Sequence, residues 1–212
     1  MKAKNVLLLS LACFPLGEIW GQAFIALVNP SFEAGEAARS IVPPGWINLS
    51  DNDDSPPDIQ PGGWGVSLRA QDGHKYLGLV VRDNNTWEGV GQRLDGLLYA
   101  GSSYKFSLWL SRSNTLMSPS MSGTSSTREN VNFNAPTILK IWGYNTKSKL
   151  EELLAESEPV GHSKWVRYEF ILTPTLDDYD ELDLMAYYAS GHVKENGNLL
   201  IDNCSAIELI EK

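Results

Sequence analysis

Trp109 stands among Lys105, Ser107 and Ser111 at every second position of a strand-like run. The alternate positions are Tyr104, Phe106, Leu108 and Leu110, so the parity assigns those four to a core and Trp109 to the opposite face. One indole among small polar groups suits a sugar: the apolar face of a pyranose stacks on the ring while hydroxyls meet the polar neighbours. The run 137–144 repeats the theme. Ile138, Lys140, Trp142 and Tyr144 share one face, and Leu139 and Ile141 the other. Trp64 and Trp87 fall in loops or at strand ends, where an exposed ring can clamp a ligand. Arg82 shares a parity with Gly78 and Val80, opposite Leu77, Leu79 and Val81. Arg82 and Arg112 are candidate ligand contacts, with pairing to Glu88 or a loop aspartate as the structural alternative. The same caution covers the seven tryptophans, Trp46 and Trp165 included, since large rings fill sandwich cores and corners.

Catalytic patterns are sparse. A glycosidase needs two carboxylates across one cleft, roughly 5–10 Å apart. The runs 103–112 and 137–144 contain no Asp or Glu, so Glu88 would need a loop acid as partner. There is no Gly-x-Ser-x-Gly elbow, no Walker A and no dinucleotide fingerprint. His74, His162 and His192 lack metal-ligand spacing. Asp51-Asn52-Asp53-Asp54 resembles half a calcium loop, but the glycine and distal glutamate of an EF-hand are missing. The sequons at Asn48, Asn84 and Asn203 are expected by chance in a chain this rich in Asn and Ser.

The elements that must position these side chains read as strands. Candidates are 76–82, 87–94, 103–112, 137–144, 150–160, 165–172, 181–189, and 199–202 continuing into 207–210. Asp83-Asn84-Asn85, Ala100-Gly101, the segment 174–178 and Glu195-Asn196-Gly197-Asn198 separate them with turn chemistry. Leu150, Leu153 and Leu154 also have helical spacing, but the segment is short and is taken as strand. The stretches 36–63 and 113–135 are rich in Pro, Gly, Asp, Ser, Thr and Asn. Loops of that length are functional or disordered in a compact domain. With neither repeat nor linker, residues 23–212 read as one all-β domain, a jelly-roll sandwich of two antiparallel sheets.

Composition excludes several classes. The chain has 212 residues, 42% of them hydrophobic, and a net charge of −9. The apolar content excludes a disordered chain. The acidity argues against nucleic acid, whose phosphates need Lys and Arg. Two cysteines cannot build a disulfide scaffold or a structural zinc site. Residues 1–22 read as a secretory signal: Lys2 and Lys4 precede an apolar stretch too short to span a bilayer, and small residues follow near Gly21 and Ala23. Cleavage near Gln22 to Phe24 would remove two lysines and one glutamate, taking the net charge of −9 to −10. Cys204 would then be the only thiol. A lipoprotein acylated at Cys13 is the alternative, although Ser10 fits a lipobox poorly. No other apolar stretch is long enough to span a membrane.

Three pieces in order carry a resemblance. They are Leu27-Val28-Asn29-Pro30-Ser31-Phe32-Glu33, then Val90-Gly91-Gln92-Arg93-Leu94 through Ala100-Gly101 to Leu110, then Trp165-Val166-Arg167-Tyr168-Glu169-Phe170 ending in Leu200-Ile201-Asp202-Asn203. This order resembles the galactose-binding-domain-like jelly roll of carbohydrate-binding modules, over nearly all of 25–210. The segment 55–66 is also similar to a variant of that domain in exported bacterial surface proteins. The resemblance implies a structural Ca²⁺ joining the N-terminal strand to the last one, with Glu33 and Asp202 as acidic ligands and Asn29 as a further oxygen; Asp72 is a weaker candidate. The expected function is a non-catalytic, exported module that binds carbohydrate. The alternative is a surface adhesion domain that binds a protein, and a glycan-acting hydrolase comes third.

Overall fold

The computed structural model describes residues 24–50, 56–121, 128–189 and 193–211. The expected signal 1–22 with Cys13, the acidic run Asp51 to Asp54 and His192 lie outside the described residues. In chain order the strands are β1 (Phe24–Ile25), β2 (Ile47–Asn48), β3 (Asp58–Gln60), β4 (Tyr76–Arg82), β5 (Thr86–Trp87), β6 (Gly89–Leu98), β7 (Ser103–Ser111) and β8 (Met117–Pro119). They continue as β9 (Asn130–Asn132), β10 (Thr137–Tyr144), β11 (Glu151–Glu156), β12 (Val166–Leu172), β13 (Tyr179–Tyr188), β14 (Gly197–Asp202) and β15 (Ile207–Glu211). One sheet runs β1-β15-β7-β14-β4-β3, with β12 on the other side of β7 and β5 against β4. The second runs β11-β10-β13-β6-β2, and β8 and β9 form a separate hairpin. The ladders are antiparallel, as a jelly-roll sandwich requires.

Strand parity builds the core. Leu77, Leu79 and Val81 of β4, Tyr104, Phe106, Leu108 and Leu110 of β7, and Leu199 and Ile201 of β14 face Leu139 and Ile141 of β10 and Leu182, Leu184 and Ala186 of β13. Each such large side chain removed from water contributes roughly 1.5–3 kcal/mol, which outweighs any local preference of these short runs. Gln92 of β6 fastens the N-terminal segment to this core. Its Oε1 accepts the Val28 N–H at 2.7 Å, and its Nε2 donates to the Val28 and Gly45 carbonyls. Within the run 150–160, Glu151–Glu156 is a strand and not a helix, because the chain reverses immediately before it. Asn145 Oδ1 accepts the N–H groups of Lys147 and Ser148, Lys149 has a φ of 63°, and β11 pairs with β10.

Of the two long loop regions, 113–135 turns out to be a cover, while 36–63 supplies β2 and β3 to the two sheets. Residues 61–70 and the β8–β9 hairpin lie over the outer face of the first sheet. There Val66, Leu116 and Phe133 pack on Tyr76, Val80 and Leu200 as a second, smaller core. β4 and β14 are consequently buried on both faces. The sequence shows this as near-continuous apolar runs rather than clean alternation.

Candidate functional site

The second sheet keeps its outer face partly open, and alternation decides what stands on it. In β13, Leu182, Leu184 and Ala186 point inward, which leaves Glu181, Asp183, Met185 and Tyr187 outward. In β10 the outward set is Ile138, Lys140, Trp142 and Tyr144, all half-buried, as the parity predicted. The register sets Ile138 opposite Tyr187, Lys140 opposite Met185, Trp142 opposite Asp183 and Tyr144 opposite Glu181. On the other side of β13, β6 places Gly89 opposite Met185, Gly91 opposite Asp183 and Arg93 opposite Glu181. The glycines are required by close approach. A β-carbon at Gly91 would fall 2.5 Å from Asp183 Oδ1 and 3.3 Å from Glu181 Oε1, and one at Gly89 would fall 2.9 Å from Met185 Cγ. Trp87 closes one end, its ring 4.9 Å from that of Tyr187. The Lys140 ammonium lies 4.2 Å above the Tyr187 ring.

The charges on this face are unequally matched. Arg93 Nε reaches Glu181 Oε2 at 2.5 Å, and Arg93 Nη1 is 3.8 Å from Asp180. Among the described residues Asp183 has no ion-pair partner, although it is only 9% exposed. Its Oδ1 is buried without a hydrogen-bond donor, and Trp142 Nε1 is buried without an acceptor. Burial raises the Asp183 pKa, and the neighbouring charges of Glu181 and Glu151 raise it further, while Arg93 opposes them. A proton kept on Asp183 relieves both the burial and the repulsion. The face therefore offers an aromatic surface, an unused donor, and an acceptor that lacks a partner. A single hydroxyl group can accept from Trp142 Nε1 and donate to Asp183. Glu181 and Asp183 stand side by side on one strand, so they do not flank a bond as the two acids of a glycosidase do.

The structure distributes the expected site residues over three regions. Trp142 and Trp87 are on the face just described. Trp109 is half-buried on the outer side of the first sheet, in register with Arg167 of β12 and Asp202 of β14. It is therefore across the sandwich from Trp142, and the two rings do not form one platform. Trp64, Arg82 and Arg112 belong to the covering loops and the strand ends beneath them. The Trp64 ring lies under the Arg39 guanidinium, 4.7 Å away, and packs against the second core. Arg82 is buried and ion-paired with Glu88, so it presents no charge to a ligand. This is the structural alternative foreseen for it. Arg112 donates to the Asn134 carbonyl and to Asn114 Oδ1, tying the β8–β9 region to the end of β7.

The metal candidates converge on one loop but hold it by hydrogen bonds. Glu33 Oε1 accepts the N–H groups of His74 and Lys75 at 2.7 and 2.6 Å. Asp202 Oδ2 accepts those of Gln71 and Asp72 at 2.7 and 3.0 Å, and its Oδ1 accepts that of Asn203. Asn29 Oδ1 accepts the Ala34 N–H. Among the described residues no three His, Cys, Asp or Glu side chains form a group able to hold a metal. As arranged, these oxygens are directed at N–H donors and do not fit a cation, which would have to displace them.

Glu181, Asp183, Met185 and Tyr187 were missing from the sequence-based site. The signal was present, since Tyr179–Tyr188 reads YDELDLMAYY with strict alternation from Glu181. Tracing which strand lies beside Trp142 required the register. On the opposite side of the molecule is a depression of about 370 Å³ lined by Phe24, Lys105, Ser107, Arg167, Ser205 and Glu208, among others.

No family model and no curated protein matches the chain. Among solved structures, a cyclase from Fischerella sp. TAU is similar, with a TM-score of 0.55 at 13% identity over 89% of this chain and 97% of that one. The enzymatically active domain of bacteriophage CBA120 tailspike protein 4 gives a TM-score of 0.52 at 12% identity, over 88% of this chain and 21% of that one. A family 16 carbohydrate-binding module gives 0.45 at 13% identity, over 86% and 99%. Likeness at such identities concerns fold alone. The fold is the all-β jelly-roll sandwich of two antiparallel sheets that the sequence led us to expect. No helix among the described residues is long and apolar enough to cross a membrane.

Proposed function

We propose that the protein is an exported, non-catalytic module that binds carbohydrate on the outer face of the β11-β10-β13-β6-β2 sheet. The observation that supports this most is the pair of unsatisfied polar atoms, Trp142 Nε1 and Asp183 Oδ1, set in a half-exposed aromatic surface. Buried polar groups are normally hydrogen-bonded, so an orphan donor beside an orphan acceptor points to a partner that supplies both functions. A sugar hydroxyl does so, while the ring stacks on Trp142 or on the Trp87–Tyr187 pair. The proposal leaves out Arg82, Arg112, Trp64 and Trp109. A glycan array on the mature chain, repeated with Trp142→Ala, tests it. Binding that weakens in a variant that remains folded supports the reading. Binding that persists undiminished overturns it.

A surface adhesion domain is the second reading, and one observation favours it. Around the depression on the first sheet, Phe24, Ile171 and Ile210 are 53%, 54% and 50% exposed. Apolar side chains gathered beside charged ones characterise protein interfaces. Pull-down with Ile171→Asp as the control, together with a silent glycan array, would move the assignment there.

A further inference from the structure

We propose that the face carrying Trp142 selects a sugar bearing a free amine, whose ammonium group is held by Asp183 and Glu181. This rests on the carbohydrate-binding reading and names the ligand class for the same site. The charges on this face are out of balance. Two carboxylates project side by side from β13 over the bare backbone of Gly91. The single guanidinium within reach, Arg93, is engaged by Glu181 and lies near Asp180. Lys140 is drawn onto the Tyr187 ring, and β11 brings a further acid, Glu151, opposite Tyr144. Asp183 is left nine-tenths buried, without a cation and with one oxygen lacking a donor. Burying a carboxylate unpaired is costly, and a folded chain avoids the cost by keeping a proton or by acquiring a cation.

A neutral sugar leaves that proton where it is. An ammonium donates to Asp183 and takes over the proton's electrostatic role, so Asp183 can ionise. Trp142 provides what the ammonium cannot use. Its Nε1 needs an acceptor, which the adjacent hydroxyl of an amino sugar supplies, and its ring supplies a face on which a cation or a pyranose is stabilised. The charge balance gives the amine a signature. Its binding releases the Asp183 proton to the buffer, and its affinity rises with pH until the amine itself loses its charge. The groups facing Asp183 that set this behaviour are Glu181 on its own strand, Arg93 on β6, Trp142, Tyr144 and Lys140 on β10, and Glu151 on β11.

The test is calorimetric titration of the full chain with three β-1,4-linked hexamers: glucosamine, N-acetylglucosamine and glucose. Each is run at near-physiological salt in two buffers of different ionisation enthalpy. The glucosamine hexamer is expected to bind at least tenfold more tightly than the other two and alone to release protons. Asp183→Asn should abolish both that preference and the proton release, so that the glucosamine hexamer binds the variant no more tightly than the glucose hexamer does. General attraction by the net charge of −9 would survive this change, since the variant loses one charge among many. Should Asp183→Asn fail to fold, Glu181→Gln serves, because it removes one of the two carboxylates that hold the ammonium over Gly91. Equal binding of all three hexamers, or a preference that persists in the variant, overturns the inference and leaves the carbohydrate reading standing. Binding of none of the three overturns the inference, and silence on the glycan array then removes the broader reading as well.

Discussion

Trp142 and Arg82 show how differently two residues singled out for one role can behave. Trp142 is half-buried with an indole N–H that finds no acceptor, so the folded chain gains less from it than from a core ring. Trp142→Ala should therefore lower affinity by an amount comparable to one aromatic contact, about 0.5–1.5 kcal/mol. Its cost in stability should stay well below the ~3–5 kcal/mol of deleting a core aromatic, and denaturant melts beside titrations check both numbers. Arg82 is the opposite case. It is buried against Glu88, whose pKa is pushed up to about 8 by burial even with the guanidinium beside it. Removing one partner of a buried pair costs about 3–5 kcal/mol, because the other charge is left without compensation. Glu88 can escape by taking up a proton, so Arg82→Ala should be more damaging at pH 8.5 than at pH 5. An equal loss at both values would show that Glu88 is already neutral beside Arg82.

Elements were more legible in the sequence than their arrangement. The runs 103–112, 137–144 and 165–172 have the parity expected of half-buried strands and are β7, β10 and β12, and the near-continuous apolar run 76–82 is β4, buried on both faces. Alternation, however, tells a residue's face and not its neighbours. Trp109 and Trp142 both point away from the core, but they stand on opposite sheets, and only the ladders reveal this. The loops misled for another reason. Segments rich in Pro, Gly and Ser have no periodicity that announces burial, yet Val66, Leu116 and Phe133 make them a lid on the first sheet. Phe133→Ala should accordingly cost about 3–5 kcal/mol, as a core deletion does, while sugar binding on the far sheet stays within twofold. A loss of binding without a loss of stability would put the functional surface under these loops. The loop 71–75 is equally tied down, by Glu33 and Asp202 through five backbone N–H bonds counting that of Asn203. Because these bonds occupy the carboxylates, melting curves in calcium and in EDTA should superpose. A drop of several degrees in EDTA would establish the structural calcium that the sequence resemblance implies, with the loop rearranged around it.

At the scale of the whole molecule, the buried acids determine how stability responds to pH. Asp202 is raised from 3.8 to about 6 and Glu88 from 4.5 to about 8, burial being the largest cause in each, and Asp58 and Asp183 are displaced in the same direction. The sign follows from linkage. A carboxyl that titrates higher in the folded chain than in the unfolded one binds its proton more tightly when folded. Between the two pKa values the unfolded state therefore carries fewer protons, and stability falls as pH rises; above the folded value the whole penalty is present. This is the reverse of acids stabilised as carboxylates, such as Asp180, which is lowered by its bonds to Thr146, or Glu169, which is lowered by Arg167. Glu169 is exposed and the Asp180 side chain is 33% exposed, so water screens these interactions and they weigh less than the buried ones. The buried group thus dominates, and the net charge of −9 adds self-repulsion in the same direction as more acids ionise. The melting temperature should be highest in mildly acid buffer, near pH 5, and should decline steadily through pH 8, the window spanned by Asp202 and Glu88. Asp183→Asn should flatten part of that decline, since it removes one of the acids that resist ionisation. Thermal melts of both proteins at half-unit steps of pH and constant ionic strength measure this. A wild-type melting temperature that is level or rising between pH 5 and 8 would mean that these carboxylates are ionised at no cost in the folded chain, stabilised by donors other than those described above.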